Sequence, residues 1–208
     1  MSLLNTIICL SIIIPILFWI YRFRDIEKIY HVFAIYLISG FITEVIHAIA
    51  YEEKYVSVMT SIIFHVFESQ CILFLFSFWI DLKIYFRKLF QLLFFIISSI
   101  ESVFIYNTLN RNIFPLYILL VVVLIIFGIK ILTSQNYKIT ISQKLIIFPT
   151  IVYFIYYSVL DILMSLLFNK HNQPVFINLY NIISLINFLS YISYSLAFLW
   201  APKKEKYL

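Results

Sequence analysis

The sequence predicts an all-α, polytopic membrane bundle of seven transmembrane helices, with its N-terminus outside and its C-terminus in the cytoplasm. Three observations carry that expectation. Of 208 residues, 63% are hydrophobic and only 12% are charged, against about 25% charged in a soluble domain. The mean hydropathy of +1.01 leaves too few polar groups for a water-facing surface. Seven apolar segments, roughly 3–20, 29–51, 57–80, 89–106, 115–132, 144–168 and 177–200, approach or exceed the ~20 residues that cross a bilayer. Their connections are short, with no low-complexity stretch and no internal repeat, so 1–208 reads as a single transmembrane domain.

The first segment has no basic residues before it and no small-residue cleavage site after it. Its positive charges follow, at Arg22 and Arg24. This predicts a first span inserted N-out, not a removed signal peptide. Lys and Arg then set the orientation. Arg22, Arg24, Lys28, Lys83, Arg87, Lys88, Lys130, Lys138, Lys144, Lys203, Lys204 and Lys206 fall on one side, and Lys54, Arg111 and Lys170 on the other. Twelve of the 15 basic residues thus mark the cytoplasmic face. The net charge of +5 is spent on these connections and does not point to nucleic acid. Trp19, Trp79 and Trp200 fall at cytoplasmic helix ends, where indoles prefer the interface.

Gly occurs twice, while Phe and Tyr together supply 38 residues, 22 and 16 respectively. Packing by bulky side chains is expected, more than the close approach of small-residue motifs. Pro115 opens helix 5, where a missing N–H costs nothing. Pro15 and Pro149 fall inside helices 1 and 6 as candidate kinks, with a gating role for Pro149 as one possibility. Cys9 and Cys71 both lie in apolar spans, so no disulfide framework is expected.

Four acids interrupt the spans: Glu44, Glu68, Glu101 and Asp161. An ionisable group at depth costs on the order of 2.5–3.5 kcal/mol on insertion scales unless paired or wet. All four fall in the outer halves of helices 2, 3, 4 and 6. Two histidines join them, in Glu44-x-x-His47 and His65-x-x-Glu68. A spacing of three puts both groups on one helix face. The two motifs mirror each other across antiparallel helices, with the acid deeper each time.

Polar stripes extend the cluster. They run through Tyr36, Gly40 and Tyr51 on helix 2, and Ser61 on helix 3. Helix 4 offers Ser98 and Ser102. Helix 6 shows Tyr153, Tyr157 and Ser165, and helix 7 Tyr180, Ser184, Asn187 and Tyr191. Helices 2, 3, 4, 6 and 7 are therefore expected to line an outward-opening polar pocket. The middle of helix 5, residues 118–127, has no polar side chain and is expected to face lipid.

No Lys or Arg lies at the depth of the four acids. Unpaired carboxylates in a low-dielectric site stay ionised only if a cation joins them. The expected ligand-binding set is Glu44, His47, His65, Glu68, Glu101, Asp161, Tyr157, Ser184 and Asn187. It would take a cation or small polar ligand in a sensor or an accessory membrane subunit with a membrane or cytoplasmic protein partner. The alternative is a metal-dependent membrane enzyme. Glu44, His47, His65 and Glu68 would then hold a divalent metal, zinc or iron, since carboxylates with ExxH motifs are the ligand type of di-iron bundles. An ion channel or transporter is a further alternative, though the inner half holds no matching acids. A purely structural, hydrogen-bonded cluster is the remaining alternative. Helix 7 carries no Lys for a retinal Schiff base, and no HxxxH pair of the desaturase kind occurs. His31 and His171 are expected to be interfacial or solvated.

In overall layout, in the Glu44 position of helix 2 and in the turn His65-Val66-Phe67-Glu68 of helix 3, the chain resembles small, uncharacterised seven-helix integral membrane proteins of the Bacteroidota type. The resemblance implies a multi-pass protein of the bacterial plasma (inner) membrane. It adds a CRISPR-associated membrane accessory as a further alternative.

Overall fold

In the computed structural model, residues 11–50, 53–108, 115–134, 139–167 and 173–203 are described, except the side chains of 54, 57–58, 101, 104–108, 115–117, 161, 164–167, 173–177 and 180. The described chain is all-α with seven helices: α1 (Ile13–Arg22), α2 (Lys28–Ile49), α3 (Lys54–Trp79), α4 (Ile84–Thr108), α5 (Pro115–Thr133), α6 (Ile141–Leu167) and α7 (Gln173–Leu199). Four are long and apolar enough to cross a membrane: Lys28–Ile49, Met59–Trp79, Ile141–Leu160 and Asn181–Leu199. Ile13–Arg22 and Ile118–Thr133 are apolar but shorter within the described residues.

Each helix overlaps the segment expected from apolar run length, with ends shifted by three residues or fewer except that α4 begins five and α7 four residues earlier; the expected start of helix 1, at residue 3, lies outside the described residues. α4 starts earlier than expected and takes Arg87 and Lys88 into its first turns. The Arg87 guanidinium turns back to donate to Leu82 O at 3.1 Å and lies 5.1 Å from the Phe78 ring. That arrangement lets a charged residue remain helical at an apolar boundary. α6 opens on a capping box. Thr140 Oγ1 accepts from Gln143 N at 3.2 Å, and Gln143 Oε1 accepts from Thr140 N at 2.9 Å, so two donors without intrahelical partners are satisfied reciprocally.

The helices form a ring in which neighbours run α1, α2, α3, α5, α6, α7 and back to α1, with α4 packed outside against α3 and α5. α5 is therefore not simply a lipid-facing helix. It buries Leu120, Val121 and Leu124 and exposes Leu119, Val122, Ile126 and Ile129. An all-apolar helix gives no sign of which side meets protein, because lipid tails are as apolar as leucine. Both glycines lie at helix crossings. A Cβ on Gly128 of α5 would sit 2.5 Å from Ile151 Cδ1 on α6, and one on Gly40 of α2 3.4 Å from Ile12 Cδ1 and 3.5 Å from the Phe64 ring. The bulky packing expected from composition thus has two close approaches built into it.

One end of the bundle is a dense apolar core. Ile26, Tyr30, Phe33, Phe76, Ile146, Ile147, Ala197 and Phe198 are essentially sealed from solvent. Phe33 packs edge-on against Tyr194 at 4.8 Å and lies 5.9 Å from Phe198. The ring closes at this end, where Arg22 donates to Leu199 O and, at 3.3 Å, to Ala201 O. These are carbonyls at the α7 terminus without intrahelical donors. An antiparallel bridge between Ile26 and Lys203 continues the closure. Trp19 Nε1 donates to His31 Nδ1 at 2.9 Å, so His31 is engaged in an interhelical hydrogen bond. Cys71 is a buried free thiol, and Cys9 and His171 lie outside the described residues.

Pro149 lies inside α6. Its missing N–H strands the carbonyl four residues back, on Leu145. Ser193 of α7 supplies the replacement, its hydroxyl donating to Leu145 O at 2.7 Å. Ser142 Oγ to Ala197 O at 2.8 Å and the Thr150–Tyr194 hydroxyl pair at 3.0 Å add two more α6–α7 links. Pro15 is a buried residue of α1, and residues 1–10 ahead of it lie outside the described residues.

Ser193→Ala should destabilise the detergent-solubilised protein by about 1–3 kcal/mol, because it orphans a buried carbonyl. In a Pro149→Ala background, where the helix supplies its own N–H, the same change should cost much less. A double-mutant cycle on thermal unfolding reads the coupling, and additive losses would show that Ser193 does not serve the proline.

Candidate functional site

A cavity of about 230 Å³ opens among α2, α3, α6 and α7, with Ile12 closing one side. Glu44, His47, His65, Glu68, Tyr157 and Asn187, six of the nine residues expected at the site, line it. Ser184 does not. It stands three residues before Asn187, about 4.5 Å nearer the start of α7 at 1.5 Å per residue. Glu101 and Asp161 sit on α4 and α6, but their side chains lie outside the described residues, as does Tyr51 altogether.

The cavity follows from helical spacing. Gly40, Glu44 and His47 fall on one stripe of α2, and Ser61, His65 and Glu68 on one stripe of α3. Gly40 of α2 faces the Phe64 ring of α3, where an added Cβ would make ordinary contact at 3.5 Å, and the Phe64 ring stacks on Tyr36 at 6.1 Å and 18°. α6 contributes Tyr153 and Tyr157, one turn apart. α7 contributes Asn187, Ser190, Tyr191 and Tyr194.

Glu68 is the most buried charged group of the site, 2% exposed. Each of its carboxylate oxygens has a partner. The Tyr36 hydroxyl on α2 donates to Oε1 at 3.0 Å, and His65 Nδ1 lies 3.3 Å from Oε2. The His65 side chain is 32% exposed, so it joins the buried acid to the open part of the cavity. Its ring also lies 6.0 Å from that of Tyr157. His47 Nε2 meets the Ser61 hydroxyl at 3.2 Å, a second link between α2 and α3. Glu44 is half-buried on the same wall.

Among the described residues no Lys or Arg lines the cavity, so two carboxylates face two histidines, six aromatic rings, Tyr and Phe together, and small polar groups. Below it, Phe33 and Phe198 fill the bundle. The cavity is therefore a pocket with an apolar floor.

Two expectations about the lining change. The described side chains of α4 contribute nothing to the cavity, and α1 contributes Ile12 in their place. The reason lies in packing: α4 stands outside the ring, against α3 and α5. Its serines are satisfied there, Ser98 donating to Phe94 O at 2.7 Å and Ser102 to Ser98 O at 2.6 Å, while Ser98 meets Ser69 of α3 at 3.5 Å. As for metal, among the described residues no three or more His, Cys, Asp or Glu side chains are arranged to hold an ion. His47 is engaged by Ser61, and His65 by Glu68.

Sequence spacing missed Thr43, Phe64, Ser190 and Tyr194. For the α7 pair a signal was present, since Asn187, Ser190, Tyr191 and Tyr194 follow the i, i+3, i+4, i+7 pattern of one face. Comparison of the chain with protein-family models, curated proteins and solved structures finds no significant match.

Tyr36→Phe removes one of the two partners of a buried carboxylate at almost constant shape. It should lower the stability of the solubilised protein by about 1–3 kcal/mol. A Tyr36→Phe/Glu68→Gln double variant should recover part of that loss. An unfolding midpoint unchanged in Tyr36→Phe would show that the Tyr36–Glu68 bond carries no weight.

Proposed function

We propose that the chain is a seven-span plasma-membrane protein, N-terminus outside and C-terminus in the cytoplasm, whose pocket opens outward and binds a cation or small basic ligand. It acts as a sensor or accessory subunit, not by turnover. The observation that carries this is the pocket's composition: among the described residues, Glu44 and Glu68 stand on its wall and no Lys or Arg lines it. In a low-dielectric surround, fixed negative groups attract a positive ligand far more strongly than they would in water.

The ends of the helices support the orientation. Arg22 contacts the terminus of α7, Tyr30 at the start of α2 lies 6.4 Å from Trp79 at the end of α3, and Tyr30 Oη lies 3.5 Å from Thr140 Oγ1 before α6. The basic residues Arg22, Arg24, Lys28, Lys83, Lys144 and Lys203 are thereby gathered at one end, the end that the positive-inside bias assigns to the cytoplasm. The carboxylates line the pocket beyond the sealed core. That core favours a binding pocket over a channel, since Phe33, Phe76 and Phe198 leave the inner half packed. The absence of a metal-ligand grouping among the described residues favours binding over metal-dependent catalysis.

Thiol labelling tests orientation and charge together. In a Cys9→Ser/Cys71→Ser background, Ser61→Cys should react with methanethiosulfonate reagents from the outer face of intact cells, and Lys204→Cys only in inverted vesicles. At Ser61→Cys a cationic reagent should react at least about tenfold faster than an anionic one of similar size, because the wall focuses positive charge. Glu44→Gln and Glu68→Gln should each narrow the ratio. Reaction from the cytoplasmic face alone, or equal rates for the two reagents, would overturn the proposal.

A further inference from the structure

The pocket is aromatic as well as acidic. Tyr36 of α2 stacks on Phe64 of α3, and Tyr153 and Tyr157 of α6 stack at 5.7 Å and 30°. Tyr191 and Tyr194 of α7 complete the lining rings, with centroids 6.4 Å apart. Rings from four helices thus surround the carboxylates of Glu44 and Glu68. A ring face carries the negative part of its quadrupole, so such walls draw in a weakly hydrated cation.

Size and donor chemistry narrow the class. A bare metal ion would leave most of a 230 Å³ cavity unfilled, a space that holds several waters. Among the described residues the oxygen and nitrogen donors are also not grouped for an ion. Ile12, Leu37 and Phe64 add apolar surface that a hydrated inorganic cation would not use. Both oxygens of Glu68 already have partners, so its charge is sensed without requiring an N–H donor on the ligand.

We propose that the ligand is an organic ammonium ion, its charged head near Glu44 and Glu68 and its carbon framework against Tyr36, Phe64, Tyr153 and Tyr157. This rests on the cation-binding proposal above and specifies it. Because charge and ring faces do the recognising, a fully methylated head is accepted. The hydroxyls of Tyr153, Tyr157 and Ser190 and the amide of Asn187 supply hydrogen bonds for a polar tail.

The test is equilibrium binding to the purified full-length protein in detergent. The probes are choline, phenethylammonium, their neutral isosteres 3,3-dimethylbutan-1-ol and 2-phenylethanol, and Na⁺ and Ca²⁺. At least one ammonium should bind ten or more times more tightly than its neutral isostere. Tyr157→Leu should weaken that binding about 5- to 30-fold, while Tyr157→Phe, which keeps the ring, should change it less than threefold. Tyr191→Leu gives a second reading if Tyr157→Leu fails to fold by size exclusion. Equal affinity for ammonium and isostere, or equal loss in the Phe and Leu variants, would overturn the ammonium assignment. Binding of Na⁺ or Ca²⁺ without either ammonium would also overturn it and leave the cation pocket standing. No binding of any cation, together with equal thiol-labelling rates, would remove both.

Discussion

A carboxylate sealed inside a chain this apolar has to be stabilised by what surrounds it, and Glu68 is where that requirement is met. Removing such a group from water costs several kcal/mol even after relaxation, repaid only when its oxygens are well partnered. Tyr36 and His65 provide the partners, one from the neighbouring helix and one from the preceding turn. The Tyr36 contact ties α2 to α3 in one register, while the His65 contact lies within α3. Phe64 stacks on Tyr36 beside that contact, with Gly40 next to it. α3 in turn packs on α2, α4 and α5, so the helix that carries the buried acid organises half of the bundle.

The pocket grows out of the same constraint. Helical faces that must shelter polar groups from lipid are turned toward one another, and bulky tyrosines cannot fill the space between them without gaps. The result is an uneven bundle. One half is dense and apolar around Phe33, Phe76 and Phe198, and the other is open and polar around Glu44 and His65. Packed floor and acidic wall together describe a receptacle. They account for why a binding role suits the geometry better than conduction.

Much of this was legible before any coordinates. The seven helices follow from apolar run length, and the i, i+3 pairs on α2 and α3 were enough to place Glu44, His47, His65 and Glu68 around one space. What sequence could not supply was the identity of neighbours. The serines of α4 look like a pocket stripe, yet they bond back to their own helix. The middle of α5, residues 118–127, has no polar side chain, so nothing distinguished its buried Leu120 from its exposed Leu119. The role of Ser193 was likewise invisible, because it depends on a carbonyl on another helix, stranded by a proline 44 positions earlier. Local rules see spacing within a helix, while these features arise from which helices meet.

The clasp between Arg22 and the carbonyls of Leu199 and Ala201 spans 177 and 179 positions of sequence. During synthesis the arginine leaves the ribosome long before its acceptors exist. The circle of helices therefore stays open through most of translation and shuts only once α7 has entered the membrane. Until then Ser142 and the Leu145 carbonyl also lack their counterparts, and the cavity has no fourth wall. Assembly of the cavity is in this sense a late event, set by the order in which the ribosome delivers its parts.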